Sequence, residues 1–515
     1  MPFGGAALRR AASVLALGIA VSAQPAAADT LQEALAEAYE NNPTLLAARA
    51  GLRATDEGVP IERSAGRPNV SLDGTYTEFL KQNQASFIAP DRSFSGGVNL
   101  AVPIYQGGAV KNAVRAAETR VEAGRADLRG TESAIFSQVV AAYMDVLRGQ
   151  ALVSLAQNQI DVLAVNVRAT SDRFEIGDLT RTDVAQSQSR LALAEGDLRT
   201  AQSNLIAARE SYVALVGAAP IDLQPPPPLP NLPDDVEVAV DVAVENNPDL
   251  IAARERADAA GFDISVAGSG RLPRVSVFTG YSYQNFLGSL PDQIREADDP
   301  LTEVVEPPQV IVSPQVARAA QAGVQLSIPL FQGGRPAALQ RQAQAQAAAA
   351  LENVVATERD IIAQVRSAWA SYQAALAIIE SSQTAVDAAA LSLEGVRAEN
   401  SIGNRTILDV LNAEQELLNS RVNLVTARRN AYVAGFTLLA AMGRAEARDL
   451  GFNDEALLYD PVLNYENVRG RWFDWQRNPD PETQATRTVD VPAQTADIPD
   501  PVDAPEPDAE LRPEP

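Results

Sequence analysis

The chain has 515 residues with 42 basic and 66 acidic side chains, a formal net charge of −24, and neither cysteine nor histidine. These absences exclude disulfides, thiolate–zinc sites, cysteine nucleophiles and every catalytic triad or metal site that needs histidine. The acidity argues against nucleic acid as a partner, because phosphate binding needs clustered lysine and arginine. We expect no cofactor, no metal and no enzymatic activity, although paired carboxylates leave acid–base chemistry formally open.

The first 28 residues have the three-part layout of a secretory signal peptide. Arg9 and Arg10 precede a short apolar run at 11–21, and alanines at 26–28 offer a small-residue cleavage site. We predict that residues 1–28 are a signal peptide and that the protein is exported. An apolar tail without this role is the less favoured alternative.

Two segments of the chain recur in order. The sequence ENNPTLLAAR at 40–49 returns as ENNPDLIAAR at 245–254, and GVNLAVPIYQGG at 97–108 returns as GVQLSIPLFQGG at 323–334. Chance similarity does not keep register over such distances, so we infer a duplication. The predicted first repeat is 29–219 and the second is 234–446, joined by a proline-rich linker at 220–233 that cannot be helical. The second copy carries extra residues near 287–320.

Each repeat is predicted to contain a β-hairpin, at 68–104 and at 273–331. Val70, Leu72 and Tyr76 alternate with polar residues, which gives a strand two different faces. Each strand has about 10 residues, the length of a tilted membrane-spanning strand. A half-buried soluble sheet would show the same alternation. Four strands cannot close a barrel, which needs roughly eight, so several chains must contribute. Aromatic residues that would form a girdle at one end are Tyr76, Phe79, Phe94, Tyr281, Tyr283 and Phe286.

Each hairpin is followed by a long helix and a shorter one. The predicted long helices are 109–174 and 335–400, and the shorter ones are 180–216 and 406–442. Apolar residues recur every seven positions, as in helices packed like coiled coils. A helix over 109–174 is about 100 Å long, more than a globular domain needs. A further helix leads the first repeat. Members of one heptad series are Val139, Val146, Val153, Ile160, Val167 and Phe174.

Glycine and proline mark the connections. Gly177 and Gly403 lie where a helix end needs positive φ. Thr182, Asp183 and Thr406 follow at the start of the next helix, where short oxygen-bearing side chains act as caps. The strand-to-helix junctions are Pro103, Gly107, Gly108, Pro329, Gly333 and Gly334.

Two segments follow the second repeat. Residues 447–477 contain a cluster of five aromatic residues, which we expect to pack against the outside of the helices near mid-length: Tyr459, Tyr465, Trp472, Phe473 and Trp475. Residues 478–515 are rich in proline and acid and have almost no apolar periodicity, so we predict disorder. The alternative for residues 447–477 is an aromatic segment that has no fixed place on the helices.

Three paired motifs occur in order over about residues 30–450: two ENNP segments, two Pro-x-x-x-Gly-Gly junctions and two glycine-containing turns. In this combination the chain resembles the TolC family of outer-membrane efflux and secretion channels. The resemblance implies a mainly α-helical homotrimer with a 12-strand β-barrel in the lipid of the outer membrane and an α-helical tunnel across the periplasm. It implies docking to a periplasmic adaptor protein and to an inner-membrane ABC or proton-driven exporter. The implied function is a passive exit duct for type I protein secretion, drug efflux or both.

The resemblance also implies roles for residues at the helix-hairpin tips, which coil inward and close the duct. Asp409 and Asn412 match the positions of two acidic rings at a pore constriction, and here the second ring lacks its charge. Arg405, Thr182 and Asp183 match a latch that holds the tips shut, although the aromatic partner expected near position 400 is absent. Helix capping is the alternative for Thr182 and Asp183, and a solvated surface charge is the alternative for Asp409.

Two other functions remain as alternatives to an exit duct. A general porin would need many more strands and no long helices. A periplasmic coiled-coil scaffold would account for the heptads but not for the hairpins or the signal peptide.

Overall fold

The computed structural model describes residues 30–81, 90–295, 309–452 and 458–498. The predicted signal peptide lies outside these residues. So do parts of the predicted 287–320 insertion and the end of the acidic tail.

Both repeats have leading helices, two long strands, a long helix and a shorter helix in the same order. The first repeat has α1 Leu31–Asn41, α2 Pro43–Asp56, α3 Gly58–Ser64, β1 Asn69–Glu78, β2 Arg92–Gln106, α4 Ala109–Glu175 and α5 Arg181–Val216. The second has α6 Val236–Asn246, α7 Pro248–Gly268, β3 Arg274–Asn285, a small hairpin of β4 Gln293–Arg295 and β5 Gln309–Ile311, β6 Val316–Ser327, α8 Arg335–Ser401 and α9 Ile407–Ala441. A short helix, α10 Leu463–Val468, follows.

The leading helix of each repeat is broken at its ENNP segment. Asn42 and Asn247 have extended backbone, with ψ of 121° and 123°, and each begins a new helix whose first residue is proline. Each asparagine Oδ1 accepts hydrogen bonds from two backbone N–H groups of the new helix, and each Nδ2 donates to a carbonyl near the end of α5 or α9, at 2.8 and 2.9 Å. The repeated motif therefore caps one helix and ties it to the end of another.

The long helices form a wall of four columns. The first column stacks α1–α3 on α5, the second is α4, the third stacks α7 on α9, and the fourth is α8. Because α4 and α8 have 67 residues each, the wall is about 100 Å tall. Its main core lies around Phe136 and Tyr143, where α4 meets α1, α5 and the end of α9.

The strands repeat the order of the columns. The sheet order is β1-β2-β3-β6, and every neighbouring pair is antiparallel. Each strand joins the column below it: β1 follows α3, β2 precedes α4, β3 follows α7, and β6 precedes α8. Sheet and wall therefore end at the same two edges, β1 above α1–α3 and β6 above α8.

The sheet has one apolar and one polar face, as the alternation predicts. Val70 and Leu72 are 66% and 81% exposed on the apolar face. Register places Tyr76 beside Phe94 on this face, at the end of the sheet away from the helices. On the other face Asn99 Nδ2 donates to Asp73 Oδ2 at 3.0 Å. Such a sheet suits lipid outside and water inside.

One described helix, α4, is long and apolar enough to cross a membrane by length and composition. Close to half of its most apolar stretch is buried within the protein. Since α4 is the second column of the wall, this apolar stretch serves helix packing.

The C-terminal segment divides into an attached and an exposed part. Tyr459 lies beside Tyr39 and Arg49, and Tyr465 packs on the cluster of Val59 and Val121. Trp472, Phe473 and Trp475 are instead exposed, at 56%, 70% and 96%.

The described part of the acidic tail, 478–498, lies along the wall. The buried Arg209 of α5 donates to the backbone carbonyls of Thr495 and Asp497, and Gln494 N donates to Glu210 at 2.9 Å. The composition of this segment predicts disorder. The observed contacts use the tail's backbone groups, which composition does not reveal.

Glu132 of α4 anchors the segment that follows α9. Its carboxylate accepts a hydrogen bond from the backbone N–H of Ala447 at 2.6 Å. Burial, the largest cause, raises the pKa of Glu132 from its ordinary value of 4.5 to about 7. As pH rises from about 4.5 to 7, the unfolded chain loses this proton while the folded chain keeps it.

We therefore expect the folded state to lose up to about 3 kcal/mol over this pH range and to change little above it. The Glu132→Gln variant should lose this dependence, as measured by thermal unfolding midpoints between pH 5 and 8. Glu358→Gln changes the corresponding, more exposed carboxylate of the second repeat and serves as the control. A Glu132→Gln curve parallel to that of the unsubstituted protein would contradict the assignment.

Candidate functional site

The two helix-hairpin tips have the same local structure. α4 and α8 each end before a glycine with positive φ, Gly177 at 83° and Gly403 at 82°. Threonine caps the next helix, and its backbone N–H donates a hydrogen bond to the carboxylate of an aspartate three residues later. The pairs are Thr180 with Asp183, and Thr406 with Asp409. Glycine and the capping box together make a tight turn.

These contacts change the expected roles of the tip residues. The cap of α5 is Thr180, while Thr182 is exposed two residues later, in the first turn of the helix. The carboxylates of Asp183 and Asp409 each accept two hydrogen bonds from their threonine partner, at 2.7–3.0 Å. These hydrogen bonds hold the pKa of each aspartate below its ordinary value. For both residues the hydrogen bond from the threonine side chain has the larger effect and the one from the threonine backbone the smaller. Both carboxylates therefore stay ionised in mild acid.

Arg405 does not reach Thr182 or Asp183 within one protomer. Its Nε donates to Glu399 Oε2 at 2.7 Å in the same hairpin, and its carbonyl accepts from Asn400 Nδ2 at 2.8 Å. Arg173 and Asp178 form the comparable pair at the first tip, with Nη2 to Oδ2 at 2.6 Å. Each tip is thus braced by an arginine–carboxylate pair across its own turn.

Asn412 joins the two hairpins. Its Oδ1 accepts a hydrogen bond from Arg190 Nη2 of α5 at 3.0 Å. The position that lacks the second acidic charge therefore lies next to a positive charge from the other repeat.

Glu414 forms a second link, deeper in the wall. Its side chain is only 2% exposed. It accepts hydrogen bonds from Asn166 Nδ2 of α4 at 2.8 and 2.9 Å and from Arg397 Nη2 of α8 at 3.0 Å. One buried carboxylate thus joins three helices from both repeats.

Arg190 and Glu414 were not predicted from the sequence. Glu414 nevertheless leaves a signal, since it lies four residues after the buried Val410 and three before the buried Leu417. A carboxylate at an apolar heptad position indicates a buried polar partner.

The strand-to-helix junctions lie at the opposite end of the wall. Gly107, with φ of 65°, is so close to the chain before β3 that a Cβ atom would lie 2.7 Å from Leu272 Cβ. Gly333, with φ of 60°, has nothing within 4 Å of a Cβ position. The pairing of β2 with β3 shifts between Pro103 and Tyr105, and Pro329 follows the end of β6. Gly108 and Gly334, also with positive φ, immediately precede α4 and α8.

Comparisons with known proteins agree with this architecture. The sequence profile of the outer membrane efflux protein family matches residues 34–218 and 239–444, which is most of both repeats. The chain belongs to this family. It is 32% identical over 465 residues to the outer membrane efflux protein BepC of Brucella suis, covering 90% of this chain and 95% of that protein. It is 27% identical over 430 residues to the outer membrane protein TolC of Vibrio cholerae, covering 82% and 92%.

The fold also matches a solved structure. The outer membrane protein VceC of Vibrio cholerae aligns with a TM-score of 0.67 at 23% identity, covering 80% of this chain and 96% of that one. The predicted fold class and family are thereby confirmed. The chain is an outer-membrane channel protein that extends into the periplasm, and it acts as an exit duct for export. It is not an enzyme, because the family consists of channel proteins.

Proposed function

We propose that three copies of this chain join edge to edge into one conduit, with a 12-strand β-barrel in the outer membrane and an α-helical tunnel across the periplasm. The observation that carries this proposal is the shared order of strands and columns. Because β1 and α1–α3 form one edge and β6 and α8 the other, a neighbouring copy can extend both layers at once. Strands of about 10 residues suit a bilayer, and an added wall of about 100 Å suits the periplasm.

We propose that the hairpin tips meet the inner-membrane exporter, an ABC or proton-driven pump, while a periplasmic adaptor protein covers the outside of the helices. A photo-crosslinking residue at Asp178 or Asn404, beside the tip glycines, tests this in living cells. We expect capture of an inner-membrane transporter there, and no such capture from Leu80 at the far end of the sheet. Capture of outer-membrane proteins alone from the tips would contradict the orientation.

Asp409 is proposed to form a charged ring at the pore constriction, beside Asn412. We expect Asp409→Asn to weaken the block of single-channel current by divalent cations added from the tip side. Asp178→Asn is the control because it removes a carboxylate from the first tip that belongs neither to the proposed ring nor to the proposed latch. Equal block in both variants and in the unsubstituted channel would rule out the ring.

Arg405 is proposed to hold the closed tip together with Thr182 and Asp183 of a neighbouring copy. We expect Arg405→Ser to raise the closed-state conductance and the leakage of antibiotics into cells. Arg173→Ser removes the comparable brace at the first tip and should leave conductance closer to that of the unsubstituted channel. Unchanged conductance in Arg405→Ser would contradict the latch.

A further inference from the structure

The C-terminal segment 469–475 is fixed beside the foot of β1. Arg63 Nη1 donates to the carbonyl of Arg469 at 2.9 Å, and Arg67 Nη1 donates to the carbonyl of Arg471. The Arg67 guanidinium also lies 5.0 Å from the centre of a Trp472 ring. The segment is therefore held by one side chain of α3 and one of the turn that leads into the first strand.

The side chains of this segment face solvent in one protomer. Trp472 is 56% exposed, Phe473 70% and Trp475 96%. Arg477 follows two residues after Trp475, with 83% side-chain exposure and its Nη2 4.0 Å from Oδ1 of the similarly exposed Asp480. Tryptophan, phenylalanine and arginine side by side are typical of the boundary between lipid and water, where an aromatic ring has an apolar body and a guanidinium can meet a phosphate.

The height of the segment agrees with that boundary. β1 begins at Asn69, two residues after Arg67, and Val70 is the first exposed residue of the apolar face. At the far end of this face, each of the neighbouring strands β1, β2 and β3 carries an aromatic residue. Near the helices, Tyr105 is the single aromatic residue that the described strands place on it. The C-terminal segment supplies aromatic groups at the level where the strands supply few.

We propose that Trp472, Phe473 and Trp475 insert into the headgroup region of the phospholipid leaflet that faces the periplasm. This inference rests on the proposed function, since it requires that the sheet crosses the outer membrane. The segment anchors the helical wall to the bilayer at the foot of the barrel, and Arg477 faces the lipid phosphates. The arginines that hold the segment set its depth relative to β1.

Tryptophan fluorescence of the full chain in phospholipid vesicles tests the anchor, because the chain has three tryptophans. In the Trp369→Phe variant only the two tryptophans of the segment remain. We expect strong quenching of their emission by lipids brominated close to the headgroup and weaker quenching by lipids brominated near the chain end. A Trp472→Phe/Trp475→Phe variant, which keeps Trp369 of α8, is the control and should not be quenched.

A third reporter separates failure of the anchor from failure of the membrane assignment. Tyr281→Trp, in a background with all three native tryptophans replaced by phenylalanine, places the probe on the apolar face of β3. Quenching of this reporter without quenching of the segment would overturn the anchor alone. Blue-shifted, unquenched emission from the segment would show that a neighbouring protein surface covers it. If no reporter is quenched, the sheet is not in the bilayer and the proposed function fails as well.

Discussion

Replacing Glu414 with alanine is expected to open the channel. The change removes the hydrogen bonds from Asn166 and Arg397 that join α4, α8 and α9 at one buried carboxylate. Because Arg397 is half exposed, the change leaves no buried unpaired charge, and the lost hydrogen bonds to the carboxylate cost about 1.5–3 kcal/mol. If that energy holds the hairpins together only in the closed state, the open fraction rises about tenfold to a hundredfold. Single-channel recordings should show a larger resting conductance, and cells should become more sensitive to antibiotics.

The control for this prediction is Glu394→Ala, which removes an exposed carboxylate from the same hairpin. Conductance should stay near that of the unsubstituted channel. Equal amounts of assembled protein in the outer membrane must accompany both measurements, because a misfolded variant would not conduct. An assembled Glu414→Ala channel with unchanged resting conductance would show that the buried contact persists when the tips move.

Gly443→Ala is expected to prevent assembly. Gly443 has φ of 70°, and an added Cβ would lie 2.5 Å from the carbonyl oxygen of Asn246. The left-handed backbone alone costs alanine about 1–2 kcal/mol, and the clash with another backbone cannot be relieved by a rotamer change. The end of α9 would have to move away from Asn247, which caps α7 and donates to Ala441. Little assembled channel should reach the outer membrane, as measured by immunoblots of membrane fractions.

Gly403→Ala separates the effect of the left-handed backbone from the effect of the clash. Its φ of 82° is similar, but nothing lies within 4 Å of a Cβ position there. This variant should lose only the backbone contribution and should assemble at close to normal levels. Equal losses in the two variants would mean that the contact with Asn246 contributes nothing.

The wall and the sheet could be predicted because their signals are local and repeated. The Gly-Gly pairs before α4 and α8 mark helix starts through positive φ, and heptads mark the buried stripes. The alternation through Val70 and Leu72 defines the two faces of the sheet. None of these features depends on a distant partner.

The contacts between the repeats could not be predicted in this way. The sequence shows that Asn412 lacks a charge. It does not show that Arg190, more than 200 residues earlier, is its hydrogen-bond partner. Arg209 binds carbonyls of the tail, which have no signature in side-chain composition. Asn42 and Asn247 were recognised as a repeated motif, while their double role as cap and tie required the position of α5 and α9. Long-range pairing, rather than local preference, decides these positions.

The central claim is that neighbouring copies join at β1 and β6 to close one barrel. Because the chain has no cysteine, Ser71→Cys on β1 can be combined with Gln321→Cys or Gln325→Cys on β6 without background disulfides. After mild oxidation in outer membranes, we predict covalent dimers and trimers and nothing larger, with only monomer from the single Ser71→Cys variant. A ladder beyond three copies, or no bond between copies in either pair, would contradict the account.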